Sequence, residues 1–420
     1  MEPAKRLTIF DWAVCIIVTQ DTPCPSRPIA RAARACRSRS ISGNRARATT
    51  PSGPPRTADI RPSNELSFRR FGAGTIGGAY LHRETDVKMW SSARCIAVVC
   101  VALYAGTTFA VERPEWAFFL PSTETAKVNA MPRSDSPAEW SAPGSRKSYT
   151  RSQLQDVLNP PDWYPDEHPP MPDIVARGQR TGADNPAALP CALCHLPNGS
   201  GHVESASLAG LSASYIVQQF ADFRSGSRRI LVGNSNTIGF LTALKKRYTD
   251  DQVSAAAQYF ASLKPRPWIR VVETTAVAKS VVNPETLMRT AIPNGGTEPI
   301  GDRIVELPES TIGLLNRDSH SGFIAYVPRG SVAAGETLVT TMAADGTPSC
   351  SSCHGTRLTG IGDVPPIAGR PPSYLVRQLW DFQSGERRGT SAAIMQSVTS
   401  KLTSHEMLAI AAYLASRPPN

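Results

Sequence analysis

Cysteine is scarce past residue 110: of nine in the 420-residue chain, Cys15, Cys24, Cys36, Cys95 and Cys100 lie before that point and four lie after it. Those four, Cys191, Cys194, Cys350 and Cys353, all fall in two short motifs, so no thiol is left for a stabilising disulfide. An excess of one charge is missing as well. The whole chain has 45 Lys and Arg against 35 Asp and Glu, but residues 1–110 hold 16 and 7 of these, leaving 29 against 28. A near-neutral remainder gives no case for nucleic acid or a membrane surface as partner. Methionine is absent from residue 172 to residue 287. No Ser/His/Asp triad and no Gly-rich phosphate loop stands out, which removes the common hydrolytic and nucleotide-dependent chemistries.

What is present is a pentapeptide that occurs twice, Cys-Ala-Leu-Cys-His at Cys191–His195 and Cys-Ser-Ser-Cys-His at Cys350–His354. Chance would supply on the order of a few thousandths of one such match. A zinc knuckle or a redox dithiol also uses CxxC, but neither needs His directly after the second Cys. Covalent haem attachment needs both features: two thiols reach the two vinyl groups on one porphyrin edge while the adjacent imidazole turns onto the iron. The expectation is two covalently bound haems c, held by Cys191, Cys194, Cys350 and Cys353, with His195 and His354 as iron ligands.

Self-similarity organises the rest. Adding 159 carries Cys191 to Cys350, Gly210 to Gly369, Tyr215 to Tyr374, Gln219 to Gln378, Gly226 to Gly385, and Arg228-Arg229 to Arg387-Arg388. After the arginine pairs the offset falls to 154, so that Thr249 matches Thr403 and Tyr259 matches Tyr413, with five extra residues in the first copy. Each copy reads as the same helices: a short start at Asp173–Gly178 and Val332–Leu338, an amphipathic run opening at Ser214 and Ser373, and a capped last helix opening at Thr249 and Thr403. The alanines at 255–257 and within 409–412 suit close helix packing.

With two such motifs on helical repeats, the chain resembles the di-haem periplasmic cytochrome c family, built of class I c-type cytochrome modules. The resemblance implies a mainly α fold of two tandem domains, 171–265 and 331–420, joined by a connector, 266–330. β-leaning runs at Ile269–Val272 and Phe323–Val327 add short strands to that connector. An extension, 111–170, precedes the first domain, and its Pro-dense stretch Trp163–Pro172 is expected to lie against that domain.

In this family a Met from the loop before the last helix is the second axial ligand, which points to Met395 in the second domain. A neutral thioether favours ferrous iron and raises the potential. The competitor Met407 falls inside the last helix, where a Met is core filler. In the first domain Leu241 takes the matching place. His202, Lys245, Lys246, His168 and Met171 are the remaining candidates there, with a vacant or water-bound position as the alternative; a lone histidine such as His202 is ordinarily a surface loop residue. Pro365-Pro366 and, in the first domain, Ala206-Ser207 stand where a carbonyl would orient the iron-bound imidazole. The arginine pairs face haem propionates or are simply solvated.

The compartment is read from residues 89–110, where a short basic start at Met89–Arg94, an apolar run Cys95–Tyr104 and small residues at Thr108–Ala110 match a secretory signal. The run is about ten residues, too short for the roughly twenty that span a bilayer. The upstream residues 1–88, rich in Arg, Ser and Pro, could not bury a core and read as disordered or as a misassigned start, with an organelle transit peptide as the rival. The functional expectation is a periplasmic carrier relaying single electrons between a redox protein donor and acceptor, rather than an enzyme. Alternatives are a haem enzyme with an open first haem, or the cytochrome subunit of a membrane-associated oxidase or dehydrogenase complex.

Overall fold

The structure, a computed structural model, describes residues 112–119, 139–179, 188–233, 235–283 and 286–419. The leader expected at 89–110 and the stretch before it lie outside the described residues. No helix among the described residues is long and apolar enough to cross a membrane.

Strands β1 (Glu139–Trp140) and β2 (Tyr149–Thr150) pair antiparallel, and α1 (Arg151–Leu154) follows on a Thr150/Gln153 capping box. Trp163 meets Trp140 and Tyr149 edge-on at 5.0 and 4.6 Å. The stretch beginning at Trp163 rests mainly on the connector, not on the first domain. A buried indole N–H and phenol need acceptors, and these are the Asn316 carbonyl, 2.9 Å from Trp163 Nε1, and Asp318, 3.1 Å from the Tyr164 hydroxyl. The His168 ring does meet Tyr259 of the first helical unit, at 6.1 Å.

That unit comprises α2 (Asp173–Ala176), α3 (Ala192–His195), α4 (Ala213–Ser225), α5 (Ser235–Leu244) and α6 (Asp250–Ser262). Ile174 and Val175 of α2 pack on Ala256, Tyr259 and Phe260 of α6. Serine caps α4 as expected, but it is Ser212, whose hydroxyl accepts from the Tyr215 N–H, and not Ser214, which lies inside the helix.

The connector has two hairpin-like pairs and a three-stranded sheet. β3 (Ile269–Thr274) runs parallel to β9 (Phe323–Pro328), and β8 (Val305–Pro308) joins β9 antiparallel. β4 (Ala276–Ala278) pairs with β7 (Thr297–Pro299), β5 (Ser280–Val282) with β6 (Arg289–Ala291), and α7 (Thr311–Leu315) precedes β9. Both β-leaning runs in the sequence are therefore strands, and they are neighbours.

The second unit repeats the order of the first: α8 (Ser331–Thr340), α9 (Cys350–His354), α10 (Pro372–Gln383), α11 (Ala392–Thr399) and α12 (Ser404–Ser416). α10 starts at Pro372 behind Pro371, so Ser373 lies inside the helix and donates to Glu306. A proline at the first helical position has no N–H to satisfy, and the serine cap is unnecessary. Both last helices open on full capping boxes, Thr249 with Gln252 and Thr403 with Glu406. α12 is buried from Met407 to Ala415 and crosses α8, where a Cβ on Gly335 would run into the Ala409 carbonyl. The segments before the last helices, expected as loops, are helical in both units (α5 and α11), and α11 carries Met395.

Candidate functional site

Each CxxCH motif forms one helical turn, α3 or α9, which sets its two thiols three residues apart on one face. None of the four cysteines is in a disulfide. Burial pushes the Cys191 thiol up to about 12 and those of Cys194 and Cys350 up to about 11. These three thiols therefore stay protonated near neutral pH. No group of three or more His, Cys, Asp or Glu able to hold a metal ion occurs among the described residues.

The two imidazoles are held alike. His195 Nδ1 lies 2.8 Å from the Ala206 carbonyl and His354 Nδ1 lies 2.8 Å from the Pro365 carbonyl, each acceptor eleven residues along the chain. These are the carbonyls the sequence suggested. A carbonyl can only accept, so Nδ1 carries the proton and the Nε2 lone pair is the one available to iron. Burial lowers the pKa of both rings, which favours this neutral form. The loop returns on itself in both units: Gly201 and Gly360 donate to the His195 and His354 carbonyls at 2.9 and 3.0 Å.

Met407 is fully buried in the core beside Val376 and Leu375, while Met395 is half-buried on α11. In the first unit Leu241 is half-buried on α5. His202 is not a surface residue: it is 6% exposed, with Nδ1 3.2 Å from the Cys194 carbonyl. Burial, reinforced by Arg317, pushes its pKa down to about 3. It belongs to the loop that folds back on His195, where Gly201 donates to the His195 carbonyl. His168 has both ring nitrogens engaged, with the Pro169 carbonyl at 2.9 Å and Asp162 at 3.1 Å. Lys245 donates to the Phe223 carbonyl, Lys246 is exposed, and Met171 packs with Ile174 and Phe260.

The arginine pairs do something the sequence reading missed. The first member of each pair is buried between the two units, and Arg228 and Arg387 bridge backbone to backbone. Arg228 donates to Gln219, to Gln378 across the interface (2.7 Å) and to the Tyr374 hydroxyl (3.2 Å). Arg387 mirrors it, donating to Gln378, to Gln219 (2.7 Å) and to the Tyr215 hydroxyl (2.7 Å). The second members stay at the rim, where Arg229 pairs with Glu386 at 2.9 Å. The signal was in the repeat itself: Tyr215/Tyr374, Gln219/Gln378 and the arginines recur at one offset, and all belong to this interface. Asp381 is buried beside it, and desolvation lifts its carboxyl to about 7 although three guanidiniums pull the other way.

A family model for cytochrome c matches residues 332–418. Over 89 residues the chain is 32% identical to cytochrome c-554(548) of Halomonas halodenitrificans, spanning 21% of this chain and 98% of that protein. The chain belongs to the c-type cytochromes. It is also 25% identical over 240 residues to a thiosulfate dehydrogenase electron acceptor of Thiomonas intermedia (strain K12), covering 56% of this chain and 81% of that one. With cytochrome c4 of Azotobacter vinelandii it shares 24% identity over 247 residues, covering 57% and 89%.

A c-type cytochrome holds its haem covalently, and the donor set of this cytochrome fits that group: unpaired thiols at the right spacing, and an imidazole whose second nitrogen is already fixed. The arginines add buried positive charge whose direct hydrogen-bond partners are neutral amide and phenol oxygens, a setting suited to carboxylates of a bound group.

Proposed function

We propose that this cytochrome carries two haems c on two tandem class I modules, 171–265 and 331–420, and relays single electrons between protein partners. The observation that carries the reading is the repetition of the whole proximal arrangement, motif, turn and carbonyl at 2.8 Å, in both units. Cys191 and Cys194 would bind one porphyrin, Cys350 and Cys353 the other, with His195 and His354 as the proximal ligands. Met395 would supply the sixth ligand of the second iron. The haems, when bound, supply reversible one-electron chemistry.

The chain's own residues orient and insulate. Ala206 and Pro365 fix the imidazole tautomer and ring direction, the helical cores exclude water, and Arg228 and Arg387 would receive propionates at the seam while locking the units together. The relatives are named as electron acceptors and cytochromes c4, which favours a carrier over an enzyme with an open first haem. By the same likeness, a dehydrogenase-type protein is the proposed electron donor and the periplasm the proposed compartment.

A pyridine haemochrome assay on the purified protein should find two covalent haems per chain, and one after Cys350→Ser with Cys353→Ser. Fewer than two in the parent defeats the proposal.

A further inference from the structure

The two proximal loops are alike in backbone and unlike in what stiffens them. In the second unit the Ile367 and Ala368 amides donate to the Leu358 carbonyl at 2.9 and 3.1 Å; in the first, Leu208 and Ala209 donate to the Gly199 carbonyl at 2.8 and 3.1 Å. The carbonyl that receives the imidazole is flanked by consecutive prolines, Pro365-Pro366, in the second loop, and proline restricts the chain without any external support. The first loop has Ala206-Ser207 at those positions. It is gripped from outside instead: Arg370, on the second unit and 5% exposed, donates through Nη1 to the Ser207 carbonyl at 2.7 Å and through Nη2 to the Ala209 carbonyl at 3.3 Å.

The clamp is one-sided. The first-unit position matching Arg370 is Leu211; what reaches back from that side is the hydroxyls of Ser212 and Ser214, which donate to the Asp363 side chain and not to loop carbonyls. Arg370 is itself firmly placed, between Gly369, whose N–H donates to the Leu414 carbonyl at 2.9 Å, and the prolines that open α10. Desolvation lowers its pKa to about 10, which leaves it charged at neutral pH, and a charged donor makes the stronger hydrogen bond.

We infer that Arg370 is a positioning residue for the first haem, holding from the second module the loop whose Ala206 carbonyl orients His195, in the role that Pro365-Pro366 fill within the second module. The inference rests on His195 being an iron ligand, as proposed above. Docking of the modules then grips the backbone of the first proximal loop, a hold that the second loop has from its own prolines.

The test uses full-length holoprotein, with two haems per chain confirmed for the parent by haemochrome assay. A failure there counts against the proposed function and leaves the role of Arg370 aside. In ferric Arg370→Gln, the hyperfine-shifted proton resonances of the first haem should move, since they report the orientation of the axial imidazole, while those of the second stay in place. The first midpoint potential should shift with them. Adding Ala206→Pro and Ser207→Pro should return the first-haem resonances towards the parent pattern without restoring the lost charge; among the described residues neither the Ala206 nor the Ser207 amide donates to a backbone carbonyl, so the prolines remove no such hydrogen bond. Unchanged first-haem resonances in Arg370→Gln, equal movement at both haems, or no recovery with the prolines would each overturn the inference. Where Arg370→Gln alone does not accumulate as holoprotein, the triple variant decides: a parent-like first-haem pattern upholds the clamp, and failure to assemble refutes it.

Discussion

Two methionines separate at the scale of single residues. Met407 has no exposed surface and sits among core side chains, so Met407→Ala should cost about 2–5 kcal/mol in denaturant unfolding and leave the haem spectrum intact. Met395→Ala should do the reverse, removing the sulfur-to-iron band at the red end of the ferric spectrum with a small effect on stability. A band that survives means another ligand is in use.

Three carboxyls also act as individuals. Burial raises Glu204 to about 8 and Glu306 and Asp381 to about 7, and one oxygen of each lacks a hydrogen-bond partner. A carboxyl with a raised folded pKa binds its proton more tightly in the native state, so its contribution is complete below its unfolded pKa and is lost as pH rises through the folded one. His202, lowered to about 3, works oppositely, gaining stability for the fold as pH rises towards the ordinary histidine value of about 6.5. The two trends oppose each other below that value, and above it only the carboxyls remain. Stability should therefore fall between about pH 6.5 and pH 8.5, and Glu204→Gln should flatten the fall. Denaturation midpoints that stay level in the parent across that range would contradict this.

Secondary-structure elements show what was legible and what was not. The capped last helices were plain in the sequence because Thr249 and Thr403 carry their own partners three residues on, a wholly local signal. The connector strands were legible from β-branched runs, but their parallel pairing was not, since the residues of β3 and β9 meet only through the tertiary fold. Ser214 and Ser373 misled because the true starts depend on Ser212 and on two prolines. The motifs foretold the imidazoles and the carbonyls that hold them, whereas the buried place of His202 and the cross-unit reach of Arg228, Arg370 and Arg387 follow from docking. At this scale the crossing of α8 over α12 has one weak point: Gly335→Ala puts a methyl against the Ala409 carbonyl. The helices must separate, and overpacking of this kind should cost about 1–3 kcal/mol or more in denaturant unfolding. A neutral or stabilising result would show that the crossing is looser than described.

Across the whole molecule the seam between units is polar and nearly two-fold, with each buried guanidinium serving oxygens on both sides. Arg387→Gln deletes hydrogen bonds to Tyr215 and Gln219 of the other unit, taking this donor from the Tyr215 hydroxyl and leaving Gln219 only the bond from Arg228. About 2 kcal/mol of unfolding free energy should go with them, while circular dichroism still reports intact helices. A loss confined to a few tenths would mean the seam contributes little to cohesion.

The short segment Glu115–Phe119 lies where everything meets. Phe118 sits edge-on to Trp380 at 5.4 Å, Phe119 packs with Val203, Met288 and Phe323, and the Ala117 carbonyl accepts from Arg377, which is 260 residues further along the chain, at 2.6 Å. During synthesis these rings leave the ribosome long before Trp380 or Arg377 has been made. A nascent chain halted before Val203 must carry two adjacent phenylalanines with no place to put them, and Phe118 still waits for Trp380 after Phe119 has found its partners, a standing invitation to chaperones.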